Sequence, residues 1–328
     1  MASKLIGLDI GGTKCAVVSG ISDGKGGIEI LSRIFFPTET QKGVENTFRN
    51  LYDAIDRTLE DNGWKAGDVA AMGISCGGPL DTRKGIVMSP PNLPGWDNIP
   101  MVKMLEDRYG IRTRIQNDAN ACALAEWQFG AGRGYDNVVF LTFGTGMGSG
   151  LILDGRLYEG TNGNAGEVGH IRLEDDGPIG FRKAGSFEGF CSGGGLAQMG
   201  RKAAEKAFAE GRSVLFAPTP AEIPDISAKS IAQAAYAGDP VAIDIFRNCG
   251  AHLGKALAVI VDIINPDVIV IGSIYLRHGD LLEEAMMKEL GKEALDLSLD
   301  VCRIVPAGLG EKIGDYAALS VGAWAAGN

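Results

Sequence analysis

The stretch LIGLDIGGTKCAVV, residues 5–18, places a carboxylate and two glycines inside an otherwise apolar pattern. The first apolar run is typical of a buried strand, yet it ends near Asp9, and Gly11 and Gly12 precede a second apolar run. Glycines in a hairpin turn leave main-chain N–H groups unobstructed by Cβ atoms, which suits phosphate oxygens. Asp9 at the mouth of this turn could hold Mg²⁺ through water, because Mg²⁺ loses its hydration shell reluctantly.

The same pattern of strand, glycine turn and strand returns at residues 137–155, NVVFLTFGTGMGSGLILDG. Neither turn fits a P-loop or a dinucleotide fingerprint, because a strand follows each turn where those motifs require a helix. Each turn alone is equally well explained as an ordinary hairpin, but the two together favour nucleotide phosphate. Thr13, Thr142 and Thr145 could add hydroxyl donors. A recurrence at domain-sized spacing predicts a duplicated α/β fold with two lobes and a central cleft.

The composition limits the class of partner. The chain has 328 residues, 45% hydrophobic and 22% charged, and a formal net charge of −10, which opposes nucleic-acid binding. The N-terminus lacks the pattern of a signal peptide, and the most apolar window, 258–276, is interrupted by Asp262 and Asp267. Six scattered cysteines form no C-x-x-C pair, as expected of reduced thiols. We expect a cytoplasmic protein without membrane or nucleic-acid partners.

The rest of the chain alternates between strand and helix patterns, which indicates an α/β fold with a mixed sheet. Apolar runs predict strands at 5–10, 15–20, 29–34, 69–75, 113–116 and 268–272. Helical periodicity predicts helices at 44–62, 101–109, 117–129, 240–264, 281–290 and 313–326. Segments rich in proline and glycine, 77–100 and 211–228, are predicted to be loops.

Three motifs, LDIGGTK, TFGTGMGSGLILDG and INPDVIVIG, resemble the two phosphate motifs and the adenosine motif of the ROK sugar kinases, within the actin/hexokinase ATPase superfamily. The resemblance implies a duplicated ribonuclease-H-like fold that uses ATP and Mg²⁺. It implies lobes at 1–118 and 119–312, with a C-terminal helix at about 313–328 returning to the first lobe. The implied nucleotide ligands are Asp9, Gly11, Gly12, Thr13, Lys14, Thr142, Gly144, Thr145, Gly146 and Gly272. The chain departs from the family at Ser273, where a second glycine is usual.

The acceptor hydroxyl of a kinase needs a base, and the stretch RIQNDANACALAEW offers Asp118 where a predicted strand meets a helix. A general base contributes ~10²–10⁴-fold in rate. The alternative is that Asp118 only caps the helix, which stabilises a helix by roughly 0.5–2 kcal/mol. The match of N-D-A-N to the family's catalytic motif implies that Asp118 is the base and that Asn117 binds the sugar.

A glycine-rich run from 163 to 195 contains Glu167 and His170, three residues apart, and Glu188. Carboxylate, imidazole and amide groups are the expected lining for a ligand with many hydroxyls. His170 alone would more often be a structural histidine. By resemblance, all three side chains are sugar ligands, as is the backbone near Gly78, and Asn92 in the loop SPPNLPGW reaches the sugar in the glucokinase-type branch.

The family usually binds a structural zinc with its histidine and three cysteines. Here the aligned cysteine positions are Ile179, Phe181 and Ser186, so no thiolate can complete the tetrahedral site that structural zinc requires. We therefore expect no zinc. The hypothesis is that Ile179 and Phe181 replace the metal bonds with apolar packing and leave His170 to address the sugar.

These features favour phosphorylation of a hexose, with glucose at its 6-hydroxyl as the leading acceptor. N-acetylglucosamine or N-acetylmannosamine is the alternative acceptor. A catalytically silent sugar sensor and a transcriptional repressor are the other classes. Repressors of this family carry an N-terminal DNA-binding domain, which we do not expect because the first motif begins at Leu5. The resemblance also favours a homodimer.

Overall fold

The computed structural model of the protein describes residues 2–327, which form fourteen β-strands, ten α-helices and five short 3₁₀ turns. The strands are β1 (Ser3–Ile10), β2 (Lys14–Ser22), β3 (Ile28–Pro37), β4 (Val69–Cys76), β5 (Leu80–Asp81), β6 (Ile86–Val87), β7 (Thr113–Gln116), β8 (Val138–Leu141), β9 (Ser149–Leu153), β10 (Arg156–Leu157), β11 (Ile179–Gly180), β12 (Lys183–Ala184), β13 (Val268–Ile271) and β14 (Arg303–Pro306). The helices are α1 (Val44–Asp61), α2 (Met101–Tyr109), α3 (Asp118–Phe129), α4 (Phe187–Phe190), α5 (Gly193–Ala209), α6 (Ala228–Tyr236), α7 (Pro240–Ile264), α8 (Ser273–Glu293), α9 (Asp296–Leu299) and α10 (Ile313–Gly327).

The chain divides into two compact units. Unit 1 comprises Met1–Asp136, Gly150–Ala165 and Gly308–Asn328, and unit 2 comprises Asn137–Ser149 and Gly166–Ala307. The lobe boundary after Asp118 inferred from the resemblance stays a prediction. Met1 and Asn328, at the ends of the first predicted lobe, lie outside the described residues.

The first sheet has the strand order β3-β2-β1-β4-β7. β2 is antiparallel to both β1 and β3, whereas β4 runs parallel to β1 and to β7. The register aligns Asp9 with Ser75 and Ser75 with Gln116, so the three parallel strands end at one edge of the sheet. Residues that follow these strand ends are therefore brought together, as is usual for ligand sites in sheets with parallel strands.

Successive side chains of β1 enter two different apolar layers, as expected of a strand covered on both faces. Leu8 packs in a cluster with Leu51 of α1, whereas Leu5 packs in a second cluster with Leu319 of α10, and all four side chains are fully buried. A Cβ atom added at Gly73 of β4 would lie 2.2 Å from the backbone of α10. This glycine therefore allows α10 to lie directly against the sheet.

The second five-stranded sheet has the order β10-β9-β8-β13-β14. β8, β13 and β14 are parallel, and Ile271 is aligned with both Leu141 and Pro306, so these strands also end together. β9 and β10 are antiparallel, as are the two-stranded pairs β5–β6 and β11–β12. Each large sheet thus combines a glycine turn between consecutive strands with two further parallel strands.

Most predicted elements are confirmed, and α2, β7 and α7 have the predicted bounds. α8 is longer than the predicted helix at 281–290, because it begins at Ser273 and contains a kink at His278, which interrupts the helical periodicity. The sequence patterns did not predict α5, since it opens with three glycines, which have low helix propensity. Its start is fixed by Ser192, whose hydroxyl accepts the N–H of Gly195 at 2.9 Å.

A buried carboxylate joins α3 to the segment that leads into α10. Glu126 is fully buried, and its Oε2 accepts N–H groups from Ala131 at 2.7 Å and Gly308 at 3.0 Å, while its Oε1 accepts the N–H of Leu309 at 3.0 Å. These hydrogen bonds satisfy a carboxylate that burial alone would make costly. None of the helices within residues 2–327 has both the length and the apolar run that crossing a lipid bilayer would need.

Candidate active site

The first glycine turn, Gly11–Thr13, connects β1 to β2 in unit 1. Gly11 donates its N–H to the Lys14 carbonyl at 3.1 Å, and its own carbonyl accepts the Thr38 hydroxyl at 2.5 Å. The Thr13 carbonyl accepts the Thr38 N–H at 3.0 Å. The turn is therefore fixed by one buried threonine, while the Thr13 and Lys14 side chains remain exposed at its tip.

Asp9 lies at the carboxyl edge of the first sheet, partly buried. Burial, followed by repulsion from Asp315, raises the pKa of Asp9 to about 6, against the opposing charges of Lys14 and Arg33. Asp315 stands in the first turn of α10, and its carboxylate forms an ion pair with the Arg33 Nε at 2.8 Å. Neither Arg33 nor Asp315 was predicted from the sequence, because they come from the third strand and the last helix.

Asn92, a predicted sugar contact, lies beside the first turn, and its amide lies near Gly77, the residue before the second predicted contact, Gly78. A Cβ atom at Gly12 would lie 2.3 Å from the Asn92 carbonyl oxygen, and one at Gly77 would lie 3.5 Å from the Asn92 Nδ2. Asn92 and Gly78 are exposed, and buried Trp96, stacked on Phe48 at 5.4 Å, anchors the loop. The loop therefore brings an amide side chain to the strand edge that also carries Asp9.

Asp118 is the first residue of α3, directly after β7, and it is not the helix cap. Asn117 takes that position, with its Oδ1 accepting the Asn120 N–H at 2.7 Å. Desolvation by surrounding protein raises the pKa of the Asp118 carboxyl, while a hydrogen bond from the Ala119 N–H at 2.9 Å lowers it. The residue remains exposed to solvent, which limits the size of the shift. The cap residue is thus Asn117 and not Asp118, as the capping alternative had it, although Asp118 still accepts one N–H group in the first turn.

A buried polar network supports the start of α3. The Asn120 Nδ2 donates to the Gln116 Oε1 at 3.2 Å, and the Gln116 Nε2 donates to the Glu159 Oε1 at 2.9 Å. Glu159 also accepts the Thr82 hydroxyl at 2.8 Å. Gln116 and Asn120 are each only 1% exposed, so these bonds fix the strand end and the helix start on either side of Asp118.

The second glycine turn, between β8 and β9, belongs to unit 2 up to Ser149. The Thr142 hydroxyl closes the turn by accepting the Gly148 N–H at 2.9 Å, and Gly144 donates its N–H to the Gly146 carbonyl at 3.0 Å. Thr145 is exposed at the tip. The Thr142 hydroxyl therefore has a structural role in the turn itself, whereas Thr145 projects where a ligand could reach it.

The end of β13 lies against this turn. Gly272 donates its N–H to the Leu141 carbonyl at 2.9 Å, and Ile274 donates its N–H to the Phe143 carbonyl at 3.0 Å. Ser273 has φ of 49°, a left-handed conformation that favours glycine and costs a residue with a side chain about 1–2 kcal/mol. The departure from glycine at this position therefore introduces backbone strain beside the turn.

Glu188, in α4, contacts the second turn directly. Its Oε2 accepts the Met147 N–H at 3.0 Å, and a Cβ atom at Gly146 would lie 2.7 Å from the same oxygen. A Cβ atom at Gly169 would lie 3.3 Å from the Glu188 Cβ, so the 3₁₀ turn Val168–His170 packs beside α4. The structure thus brings Glu188 close to the segment that carries Glu167 and His170, both exposed.

The apolar-packing hypothesis for the lost zinc positions is wrong for Ile179, which is 56% exposed in the β11–β12 hairpin. Phe181 is 65% exposed, and only the edge of its ring meets His170, at 5.4 Å between ring centroids. Ser186 is fully buried instead: its hydroxyl donates to the Lys183 carbonyl at 3.0 Å and accepts the Gly189 N–H at 3.1 Å. A buried hydroxyl therefore links the hairpin to α4.

The donor sets differ in how well they suit metal ions. Across residues 2–327, no cluster of three or more His, Cys, Asp and Glu side chains is placed to hold a metal ion. A single carboxylate such as Asp9 fits Mg²⁺, which keeps several waters and binds through one or two carboxylates and substrate phosphates. His170, Ile179, Phe181 and Ser186 do not fit zinc, because they include no thiolate.

Sequence patterns did not identify several residues that support the candidate site from other parts of the chain. Thr38 fixes the first turn, Asp315 faces Asp9, and Met147 donates its N–H to the carboxylate of Glu188. Only Asp315 carried a sequence signal, as an acidic residue in the first turn of a predicted helix. The contacts of Thr38 and Met147 depend on tertiary structure and have no local pattern.

Solved structures with similar folds cover nearly the whole chain. A ROK hexokinase from Thermus thermophilus is 29% identical with a TM-score of 0.79, covering 99% of this chain and 98% of its own. A ROK family glucokinase from Streptomyces griseus, solved in complex with glucose and AMPPNP, is 32% identical with a TM-score of 0.76, covering 98% and 100%. The protein therefore has the duplicated ribonuclease-H-like fold of the actin/hexokinase type.

The sequence comparisons lead to a narrower class. The family model described as "ROK family" matches residues 5–322. A glucokinase from Streptomyces coelicolor is 34% identical over 312 residues, which is 94% of both chains. A xylose repressor from Caldicellulosiruptor bescii is 27% identical over 293 residues, 89% of this chain and 71% of the repressor. The chain belongs to the ROK family, whose members named here include both kinases and a repressor.

Proposed function

We propose that this protein is an ATP-dependent sugar kinase, with glucose at its 6-hydroxyl as the leading acceptor. Asp118 accepts the proton of the acceptor hydroxyl as its oxygen forms a bond to the γ-phosphorus, and the bond from that phosphorus to the leaving ADP oxygen breaks. The nucleotide phosphates are assigned to the two glycine turns. The kinase names of the relatives support the class of reaction.

The observation that carries this proposal is the position of Asp118. It follows a parallel strand whose end is aligned, through β4, with the strand that carries Asp9, and the helix cap is supplied by Asn117. Asp118 is an exposed residue that is not the helix cap; its Oδ1 accepts one N–H, from Ala119, and the pKa of its carboxyl is raised. A base with a raised pKa is better matched to proton transfer near neutral pH than an ordinary carboxylate.

Asp9 is the residue proposed to hold Mg²⁺ through water. When bound there, Mg²⁺ supplies charge neutralisation for the phosphate oxygens. The protein's own contribution is the pair of turns, in which glycines leave N–H groups accessible and Thr13, Lys14 and Thr145 stand exposed at the tips. Local donors of this kind are needed because the net charge of −10 opposes a nucleotide at long range.

The acceptor is proposed to contact polar side chains and one backbone segment: Asn92, Asn117, Glu167, His170, Glu188 and the backbone near Gly78. The glucose in the Streptomyces griseus structure supports glucose. An N-acetylhexosamine is the alternative acceptor, since discrimination depends on whether buried polar groups stay unpaired with the wrong sugar, at ~1–3 kcal/mol each.

A second candidate function is sugar sensing without catalysis. The observation that favours it is the repressor relative, whose identity of 27% approaches that of the kinases. A sensor would bind a sugar but would not release ADP. The two functions are therefore separated by one assay.

The assay measures ADP release with glucose, mannose, N-acetylglucosamine, N-acetylmannosamine and no sugar, alongside calorimetric titration of each sugar. Sugar-dependent ADP release supports the kinase, whereas sugar binding without turnover supports the sensor.

Asp118→Asn is expected to lower kcat by ~10²–10⁴-fold while preserving sugar affinity and thermal stability. Asp107→Asn, which removes an exposed carboxylate on α2 that forms an ion pair with Lys103, is the matched control and should stay within about twofold. Full turnover in Asp118→Asn would remove Asp118 as the base.

A further inference from the structure

Glu188 lies against the second glycine turn at two points. Its Oε2 accepts the Met147 N–H at 3.0 Å, and Gly146 has room for the carboxylate only because it has no Cβ atom, which would lie 2.7 Å from that oxygen. Met147 is buried, so its N–H has little access to water as an alternative partner. The position of the turn and the position of the Glu188 carboxylate are therefore mutually dependent.

The segment that carries Glu188 holds the turn at two further points. At the start of α5, Gly193 donates its N–H to the Gly144 carbonyl at 2.8 Å, and Gly194 donates to the Thr145 carbonyl at 3.3 Å. α4 and α5 adjoin tightly, since a Cβ atom at Gly195 would lie 1.9 Å from the Gly189 carbonyl oxygen. The turn is thus attached by three hydrogen bonds to one continuous stretch of chain, and of these three only the bond from Met147 ends on a side chain.

We infer that Glu188 is a positioning residue that couples the acceptor site to the second phosphate turn, so that sugar and nucleotide each strengthen the binding of the other. The inference rests on the proposed function, in which the same carboxylate binds the acceptor. One carboxylate oxygen is held by Met147, and the other oxygen is assigned to a sugar hydroxyl. An acceptor hydroxyl donated to Glu188 restrains the side chain and disperses its negative charge beside the turn. Both effects favour a phosphate bound at the turn.

The chain offers a matched pair of substitutions within the turn. Neither Gly144 nor Gly146 has positive φ, so alanine suits both backbones. A Cβ atom at Gly146 would displace the flexible end of Glu188, whereas one at Gly144 would meet nothing nearer than the Ser273 Oγ at 3.6 Å. Gly146→Ala therefore moves the carboxylate without deleting it, and Gly144→Ala changes the same turn without touching Glu188.

The first experiment titrates glucose into the nucleotide-free protein. Gly146→Ala is expected to raise the glucose Kd by about 3- to 10-fold, and Gly144→Ala to change it by less than about twofold. In the wild-type protein, saturating AMPPNP with Mg²⁺ should tighten glucose binding by about fivefold or more, and glucose should tighten AMPPNP by the same factor. Equal glucose affinities for the two alanine variants would overturn the inference.

The second experiment titrates AMPPNP with Mg²⁺ into the sugar-free protein. Glu188→Gln and Glu188→Ala both remove the charge, but only glutamine retains an acceptor for the Met147 N–H. Glu188→Ala should therefore bind AMPPNP about 3- to 10-fold more weakly than Glu188→Gln. If Glu188 only bound sugar, Glu188→Gln and Glu188→Ala would bind AMPPNP equally, which would also overturn the inference.

A wild-type protein that neither binds glucose nor releases ADP would instead contradict the proposed function, and this inference with it.

Discussion

The two glycine turns are built from similar sequences but are held in different ways. In the first turn the nearby carboxylate, Asp9, belongs to the strand itself, and Thr38 fixes the backbone. In the second turn the carboxylate is Glu188, 41 residues further along the chain from Met147. The carboxylate beside the first turn thus belongs to an adjoining strand, whereas the carboxylate beside the second turn comes from a distant segment and is also proposed to bind the acceptor. Similar sequence motifs can therefore differ in whether their geometry responds to a second site.

The largest expected effect comes from filling the space beside the first turn. A Cβ atom at Gly12 would lie 2.3 Å from the Asn92 backbone, which cannot move as a side chain can. Gly12→Ala should therefore lower kcat/KM by on the order of 100-fold and lower the Tm by several degrees. Gly144→Ala, whose Cβ would make only ordinary van der Waals contact with Ser273, should keep the wild-type Tm. Calorimetry and steady-state kinetics on both variants check this. A wild-type Tm for Gly12→Ala would show that the Asn92 backbone can move away from the added Cβ atom at little cost.

A smaller effect is expected at Asp9, where substitution should increase stability but reduce activity. Its pKa is raised from 3.8 to about 6 in the folded protein, so the unfolded chain loses this proton more readily. Ionisation therefore lowers the free energy of unfolding between about pH 4 and pH 6, by about 3 kcal/mol in total, and the loss persists at higher pH. Asp9→Asn, which stays neutral, should be up to about 3 kcal/mol more stable than wild type at pH 8 and about equal at pH 4.

Urea unfolding in EDTA, at both pH values, measures this difference. The same variant should lose activity with Mg²⁺ and ATP, because an amide cannot replace a carboxylate in holding the hydrated ion. Asp107→Asn provides the control for removing an exposed charge. Equal free energies of unfolding of Asp9→Asn and wild type at pH 8 would show that burial does not raise the pKa of Asp9.

The smallest predicted effect tests what supports α4, and hence Glu188, beside the second turn. Ser186→Ala removes a fully buried hydroxyl that bonds to Lys183 and Gly189, so it should lower the free energy of unfolding by about 1–3 kcal/mol. Ile179→Thr, at a largely exposed position in the adjoining hairpin, should change it by less than about 0.5 kcal/mol. Urea unfolding measures both losses. If Ile179→Thr lowered the free energy of unfolding more than Ser186→Ala does, apolar packing would be the main support of this region.

The sequence predicted the hairpin of the first turn because its two apolar strands and the glycines between them lie within fourteen consecutive residues, whereas the contact that fixes the turn comes from Thr38. The strand that ends at Gln116 and the helix after it were also predicted, which placed Asp118 correctly at an element boundary. The identity of the cap was not, because it depends on Asn117 adopting an extended backbone with ψ of 160°. A pattern of residue types does not determine that dihedral angle.

The second turn depends on a contact with a distant segment that the sequence patterns could not predict. Its glycines were recognised, but the hydrogen bond from Met147 to Glu188 required knowledge of which distant segments meet. Apolar residues were also assumed to be buried, yet Ile179 and Phe181 are exposed because Phe181 and Arg182, with φ of 36° and 68°, form the two-residue turn of a short hairpin. Positive φ at both positions usually calls for Asn or Gly, so no turn signal was visible.

The packing of α10 on the first sheet has a consequence for how the chain is made. Leu5, Val18 and Ala71 on one face of the sheet pack with Leu319 and Ala325, which the ribosome adds after all the strands of that sheet. Domains generally fold as units as they emerge, N-terminal first. Here one apolar face of the emerging sheet stays uncovered until α10 has been synthesised. During that time this face is exposed to association with other nascent chains.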